Sequence, residues 1–297
     1  MRKLLLAILS ICFFSFLNAQ TTQVIQLSAS ETKLELKNVD PLQFNAEMRI
    51  KEFAFENVSD ENGDFSFVHI DGLHRKDRVG KADLPVRTSL IEVPYGAEIQ
   101  ITINSYDEEV INLDDYGIYR IMPTQPSYRK NTPVDEMYFV IDEDYYNTDE
   151  YESDELVSAE IIGIMRGVRM GRIEIRPYHY NPVENTLIVY NNIDFDVDFV
   201  HADLGLTEQM KNKYYSSGFS SAYSKFLNYQ EPVAAKDGFS NFNAPLKYVI
   251  IANTAFETTL EPFVEWKTKM GYNVIEYYVA TGTTNTTIKS YLQDLYD

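Results

Sequence analysis

The last fifty-two of the 297 residues constrain the fold most. Leu246–Asn253 (LKYVIIAN) is a continuous apolar run of the kind that fills a strand buried on both faces. Thr258–Met270 then reads as a helix. Leu260, Phe263, Val264 and Lys267 mark one stripe of it, and Gly271 suits the position just past its end. Asn273–Ala280 predicts a second strand, and Thr286–Asp297 starts a second helix with Ile288, Leu292 and Leu295 on one face. Strand, helix, strand, helix with crossovers of this length means a parallel sheet. Two strands do not make a stable α/β layer, so the expectation is the front end of a longer protein.

Upstream the period changes. Alternating or buried-strand patterns run through Phe65–Ile70, Ser89–Val93, Glu98–Ile103, Glu136–Ile141, Ile173–Arg176, Thr186–Tyr190 and Ile193–Val200. Turn signals separate them at Asn62-Gly63, Pro94-Tyr95-Gly96, Asp115-Tyr116-Gly117, Asn181-Pro182 and Asn191-Asn192. Short strands so spaced predict a mainly β domain, an antiparallel sandwich or barrel. The 22 Tyr and 17 Phe supply the cross-strand pairs such sheets prefer. His201–Asn228 reads as short helices or an ordered arm, and the stretch before Leu246, with two prolines and a glycine, as a linker. The expected division is a signal peptide at 1–19, a β-sandwich domain at 20–230, a linker at 231–245 and the truncated start of an α/β domain at 246–297.

The N-terminus carries the export pattern: Arg2 and Lys3, the apolar run Leu4–Phe16, then Leu17-Asn18-Ala19 before Gln20. Cleavage is expected between Ala19 and Gln20, which places the mature chain outside the cell or on its surface. The run is too short to span a bilayer, so no membrane span is expected in the mature chain. The only cysteine, Cys12, lies within this signal, so the exported part has no disulfide and no cysteine nucleophile. Ile11 before it and the apolar residues after it speak against lipidation. A formal net charge of −19 argues against nucleic acid and anionic lipid as partners.

Chemistry-bearing clusters are few. The acidic run Asp142–Glu155 holds eight carboxylates and no basic residue, and calcium is one reading of it because hard cations take several carboxylate oxygens. The glycine of a calcium loop is missing and Tyr146 stands at a ligand position, so a solvated loop is the simpler reading and no metal or cofactor is expected. His69, His74, His179 and His201 are too scattered for zinc, and a turn accounts for His179. No G-x-S-x-G elbow or phosphate-binding glycine loop is present. Arg166, Arg169, Arg172 and Arg176 crowd one segment, with internal charge balance as the expected role. Catalytic residues are therefore expected to be none, and the chain by itself is expected to hydrolyse no peptide.

Several of these stretches together resemble gingipain-like secreted cysteine peptidases. Lys247–Asn253, the helix with Phe263, Val264, Trp266, Lys267 and Gly271, and the strand and helix after it are similar to the start of their catalytic domain. Lys81–Val86 (KADLPV), Ile91–Ala97 (IEVPYGA), Arg166-Gly167 and Arg176–Pro182 (RPYHYNP) resemble the propeptide before it. The resemblance covers nearly the whole exported chain. It implies a zymogen, in which a β-sandwich propeptide keeps a caspase-like endopeptidase latent until proteolysis releases it. The family's catalytic histidine and cysteine would fall after Asp297, so none of the four histidines takes that role.

The partners implied by this resemblance are the propeptide's own catalytic domain and, for the full-length enzyme, protein substrates. Two other readings stand beside it: a secreted, non-enzymatic β-sandwich surface or adhesion module, and a pseudo-peptidase of the same fold. If the resemblance holds, Arg129 and Lys130 are the candidate inhibitory residues, on a loop bounded by Pro126 and Pro133. Lys236, before Asp237-Gly238, is the candidate maturation cut.

Overall fold

Alternation of buried and outward side chains organises the first part of the chain into three antiparallel sheets. The structure, a computed structural model, describes residues 22–75, 78–215, 217–231 and 246–296. The chain divides into two compact units, Met1–Tyr215 with Ser220–Gln230, and Glu231–Asp297 with Ser216–Phe219.

In the first unit β1 (Thr22–Gln26), β4 (Glu52–Asp60) and β5 (Gly63–His69) form one sheet with β4 central. A second sheet is centred on β11 (Thr186–Val200). One edge of β11 pairs with β7 (Glu98–Asn112) along nearly its whole length. Its other edge takes β10 (Tyr178–Asn181) first and β3 (Gln43–Arg49) beyond, with β2 (Lys33–Lys37) outside β3. The third sheet places β9 (Val168–Ile175) between β6 (Arg87–Glu92) and β8 (Val157–Met165).

Along β11 the residues Ile193, Phe195, Val197 and Phe199 are buried while Asp194, Asp196 and Asp198 face outward, the period of two a half-buried strand requires. Phe44, Ala46 and Met48 of β3 and Phe53 and Phe55 of β4 complete the core opposite, with Ile91, Ile173 and Ile175 from the third sheet. Between β3 and β4 the chain changes sheets at Ile50, where a ladder partner is missing. The Asn191 side chain substitutes for one: Ile50 N donates to its Oδ1 at 2.8 Å and its Nδ2 donates to Ile50 O at 2.9 Å.

Several sequence expectations change here. Thr186–Tyr190 and Ile193–Val200 are one strand, because Asn191-Asn192 is a bulge with Asn192 at φ 49° rather than a turn. His179 lies in β10, not in a turn. Glu136–Ile141 is not a strand but a short 3-10 turn (Val134–Glu136) and an irregular return. β1 to β4, β8 and β10 are further strands, β3 among them with a clean alternation of buried Phe44, Ala46 and Met48.

After β11 the helix α2 (Leu204–Tyr214) begins at Asp203, whose carboxylate accepts from Leu206 N. In the second unit β12 (Lys247–Asn253) and β13 (Asn273–Val279) pair in parallel, joined through the helix Glu257–Lys269 and followed by the helix Asn285–Tyr296. Only Ile250 is buried there among the described residues, and Trp266 and Met270 stay about half exposed. Lys267 sits on the apolar stripe because its ammonium lies 4.2 Å from the Trp266 ring centre and 5.1 Å from that of Tyr248. Among the described residues no helix is long and apolar enough to cross a membrane.

Candidate functional site

The segment from Thr124 to Asp142 leaves the sheets of the first unit and returns without strand pairing, yet it is closed at three levels, one by backbone and two by side chains. At the root, Gly80 N donates to Thr124 O at 2.8 Å and Asp142 N donates to Gly80 O at 2.9 Å, so one residue holds both ends. One step out, the Gln125 amide takes the place of a strand: Val140 N donates to Oε1 and Nε2 donates to Val140 O, both at 2.9 Å. Further out, the Tyr128 hydroxyl accepts from Tyr138 N at 3.2 Å and donates to Tyr138 O at 3.1 Å, with the rings edge to face. This is the physical reason Glu136–Ile141 is no strand, since its backbone groups are taken by side chains.

At the tip Thr132 N donates to Arg129 O at 3.0 Å, closing a turn over Lys130 and Asn131. Arg129 and Lys130 are both exposed there. Neither side chain holds a hydrogen bond or ion pair among the described residues, so both charges are open to a partner.

The root is itself mounted on buried tyrosines. Ile121 N donates to the Tyr180 hydroxyl at 3.2 Å, and the Tyr146 hydroxyl donates to Ile121 O at 2.6 Å. Burial pushes both phenols well above their ordinary value, so they remain protonated donors. Tyr146 ends the short helix α1 (Glu143–Tyr146), capped by Asp142 through its Oδ1 and Tyr145 N. On the other side, Lys81–Asp83 runs beside Met122–Thr124, with Asp83 N donating to Met122 O and Thr124 N to Lys81 O. Asp83 is buried against Arg75, 3.1 Å away, and burial holds its carboxyl above the usual range. The KADLPV stretch is thus the bed of the loop.

Gly80 carries a specific constraint. Its φ is +86°, and a Cβ there would stand 3.1 Å from Asp142 N and 3.3 Å from Asp142 Cβ, against the returning chain. Gly80→Ala is expected to cost about 1–2 kcal/mol through the left-handed backbone alone. Trypsin should then cut at Arg129 or Lys130 several-fold faster, read by mass spectrometry. An unchanged rate at these bonds would show that the root does not control the tip.

The acidic run next to the loop has internal partners. Arg78 pairs with Glu152 at 3.1 Å and Asp154 at 2.9 Å, the nearly buried Arg176 pairs with Asp154 and Glu174, and Asp149 accepts from Asn181 Nδ2. Arg166 donates to Tyr214 O, Arg169 to Pro94 O and Ala97 O, and Arg172 pairs with Glu160. His179 bridges Asp154 O and the Tyr190 hydroxyl, and burial lowers its pKa. Among the described residues no group of three or more His, Cys, Asp or Glu gathers in a geometry that would hold a metal. Ala19, Gln20 and Lys236 lie outside the described residues.

Sequence reasoning named the tip but missed its mounting: Gly80, Gln125, Tyr128, Tyr138, Tyr146 and Tyr180. The available signal was the pair of tyrosines, Tyr128 and Tyr138, that flank the tip at either end of the loop.

Known proteins decide what kind of domain this is. The Propeptide_C25 family model matches residues 40–233, well over half of the chain. This chain belongs to the Propeptide_C25 family. It is 32% identical over 300 residues to Lys-gingipain of Porphyromonas gingivalis, with all of this chain and 17% of that protein aligned. Gingipain R2 of the same organism is 27% identical over 161 residues, covering 51% of this chain and 21% of the relative. The chain therefore spans about a sixth of the length of its Lys-gingipain relative.

Among solved structures, one reported as structural insight into zymogenic latency of gingipain K from P. gingivalis superposes with a TM-score of 0.57. It is 34% identical and covers 61% of this chain and 100% of that one. A complex of the pro- and mature domains of RgpB from P. gingivalis matches in fold, with a TM-score of 0.54 and 20% identity over 66% of this chain and 98% of that one. The Propeptide_C25 segment is accordingly a propeptide of the gingipain type. Its mainly antiparallel architecture, followed by a parallel strand pair, is the fold the sequence predicts.

Proposed function

We propose that residues 20–230 hold a cysteine endopeptidase, encoded beyond Asp297, in a latent state, with Arg129 and Lys130 entering its substrate cleft. The stapled loop carries this reading. A free peptide loses conformational freedom on entering a cleft, whereas this turn is already fixed at three levels, so less is lost on docking. The same stapling keeps the backbone from relaxing into the extended form that cleavage requires. Covalent attachment adds a high effective concentration, so modest contacts suffice for latency.

Export by removal of Met1–Ala19 to the cell surface or medium, release by a cut after Lys236, and protein substrates for the released enzyme complete the proposal. Support comes from the tripartite N-terminus, from the composition of 231–245, and from the Lys-gingipain and gingipain K likenesses. The test adds the propeptide unit to the mature enzyme assayed on a short peptide ending in Lys or Arg. Inhibition that rising substrate relieves is expected. No slowing at roughly 10 μM, a concentration at which even weak specific complexes form, would refute the proposal.

A further inference from the structure

The end of the first unit is fastened by a group that the inhibitory loop does not use. Glu92 at the end of β6 and Lys211 of α2 are both more than nine-tenths buried, with Lys211 Nζ 2.6 and 2.9 Å from the two carboxylate oxygens. Two buried charges cost desolvation that a surface pair would not, and removing one partner alone leaves the other uncompensated. Their remaining hydrogen-bonding capacity goes to one place. Lys211 Nζ also donates to Gln230 O, and Gln230 N donates to Glu92 Oε2 at 3.4 Å.

Asn228 completes the grip. Its Oδ1 accepts from Glu92 N at 2.8 Å and its Nδ2 donates to Glu92 O at 2.9 Å. Leu227 N donates to Leu90 O, so Phe226–Leu227 lies along β6 like a short parallel strand. Above the pair the Tyr229 ring lies 4.6 Å from Lys211 Nζ and stacks on Tyr223 with ring centres 5.0 Å apart.

We infer that Glu92 and Lys211 form a latch that fixes Phe226–Gln230 on β6 and keeps the bond after Lys225 out of reach of a peptidase specific for basic residues. Lys225 is exposed in the turn just before Phe226, so its side chain alone offers no protection. Cleavage needs several residues on each side to leave their contacts, and on the C-terminal side those contacts are the latch. The use of such protection rests on the proposed zymogen: a cut at Lys225 would sever the unit from its own last segment. The protection itself needs neither the zymogen nor its enzyme, and can be tested on this chain.

The experiment digests the exported chain with trypsin and follows cleavage after Lys225 by mass spectrometry, with cleavage at Arg129 and Lys130 as the internal reference. Wild type is compared with Glu92→Gln, and with the double variant Glu92→Leu/Lys211→Met. The double variant keeps an apolar pair in place of the ions but cannot hold Gln230. Cleavage after Lys225 at least tenfold faster in the double variant, with the reference bonds unchanged, is expected. Equal acceleration at both places would mean that the pair supports the whole fold rather than this segment. No acceleration after Lys225 would mean that the apolar contacts of Phe226 and Tyr229 suffice. Either result overturns the latch. The Glu92→Gln chain is expected to follow the double variant at Lys225, and a wild-type rate there would also count against it.

Discussion

Changing Arg129 and Lys130 together to alanine is expected to weaken inhibition of the mature peptidase by the propeptide unit about a hundredfold or more. The two side chains are the exposed cationic tip of a loop whose backbone is held by other residues. Truncation therefore removes the groups proposed to enter the cleft and leaves the presenting frame. A fully desolvated anchor at the centre of an interface is worth about 2–4 kcal/mol, and each 1.4 kcal/mol is about tenfold. Stability should not move, because surface substitutions away from packed features stay within about 0.5 kcal/mol. The inhibition constant and the thermal midpoint are read on the same preparation. A hundredfold loss with an unchanged midpoint is the expected pair, and unchanged inhibition would remove the tip from the cleft. The single variants then show which residue enters.

The second large effect is on folding. Gly167 closes the turn between β8 and β9 behind Arg166, with φ of +81° and +47°, the double left-handed turn that suits a two-residue hairpin. A Cβ on Gly167 would lie 2.3 Å from Met210 O and 2.8 Å from its carbonyl carbon, inside the backbone of α2. Neither atom is the end of a flexible side chain, so the helix must shift or the turn must open. Gly167→Ala is expected to destabilise the first unit by about 3 kcal/mol or more, the sum of left-handed strain and overpacking. For a unit of this size that is a fall in thermal midpoint of roughly 6–12 °C. A midpoint within a degree of wild type would show that α2 is not seated against this turn. Because α2 also carries Lys211, the same variant should speed cleavage after Lys225.

How far the sequence foretold this depends on the range of the contacts involved. The parallel strand pair was legible from Leu246 onward because apolar runs, helix stripe and Gly271 are local signals. The β character of the first unit was legible where alternation is clean, as in Ile193–Val200. It was not legible where a side chain replaces a backbone partner. Asn191 looked like a turn residue because nothing local says that Ile50, far off in sequence, needs its amide. Glu136–Ile141 looked like a strand because Gln125 and Tyr128 satisfy a backbone that would otherwise seek one.

His179 shows the same limit, since the Tyr-His-Tyr run alternates across β10 and only its pairing with Val189, Ile188 and Leu187 on β11 reveals it. The tip residues Arg129 and Lys130 were found through proline spacing and resemblance, but their mounting on Gly80, Tyr146 and Tyr180 is a product of long-range packing.

Whether this loop, rather than some other face of the propeptide, occupies the peptidase is tested most directly by amide hydrogen exchange across the propeptide unit, free and bound to the mature enzyme. Backbone amides of Ser127–Asn131 lie outside any strand or helix and donate no hydrogen bond among the described residues, so they should exchange fast in the free unit, then slow the most on binding. A complex that forms with normal affinity while these amides exchange as fast as before, with slowing confined to another part of the unit, would contradict the proposed docking.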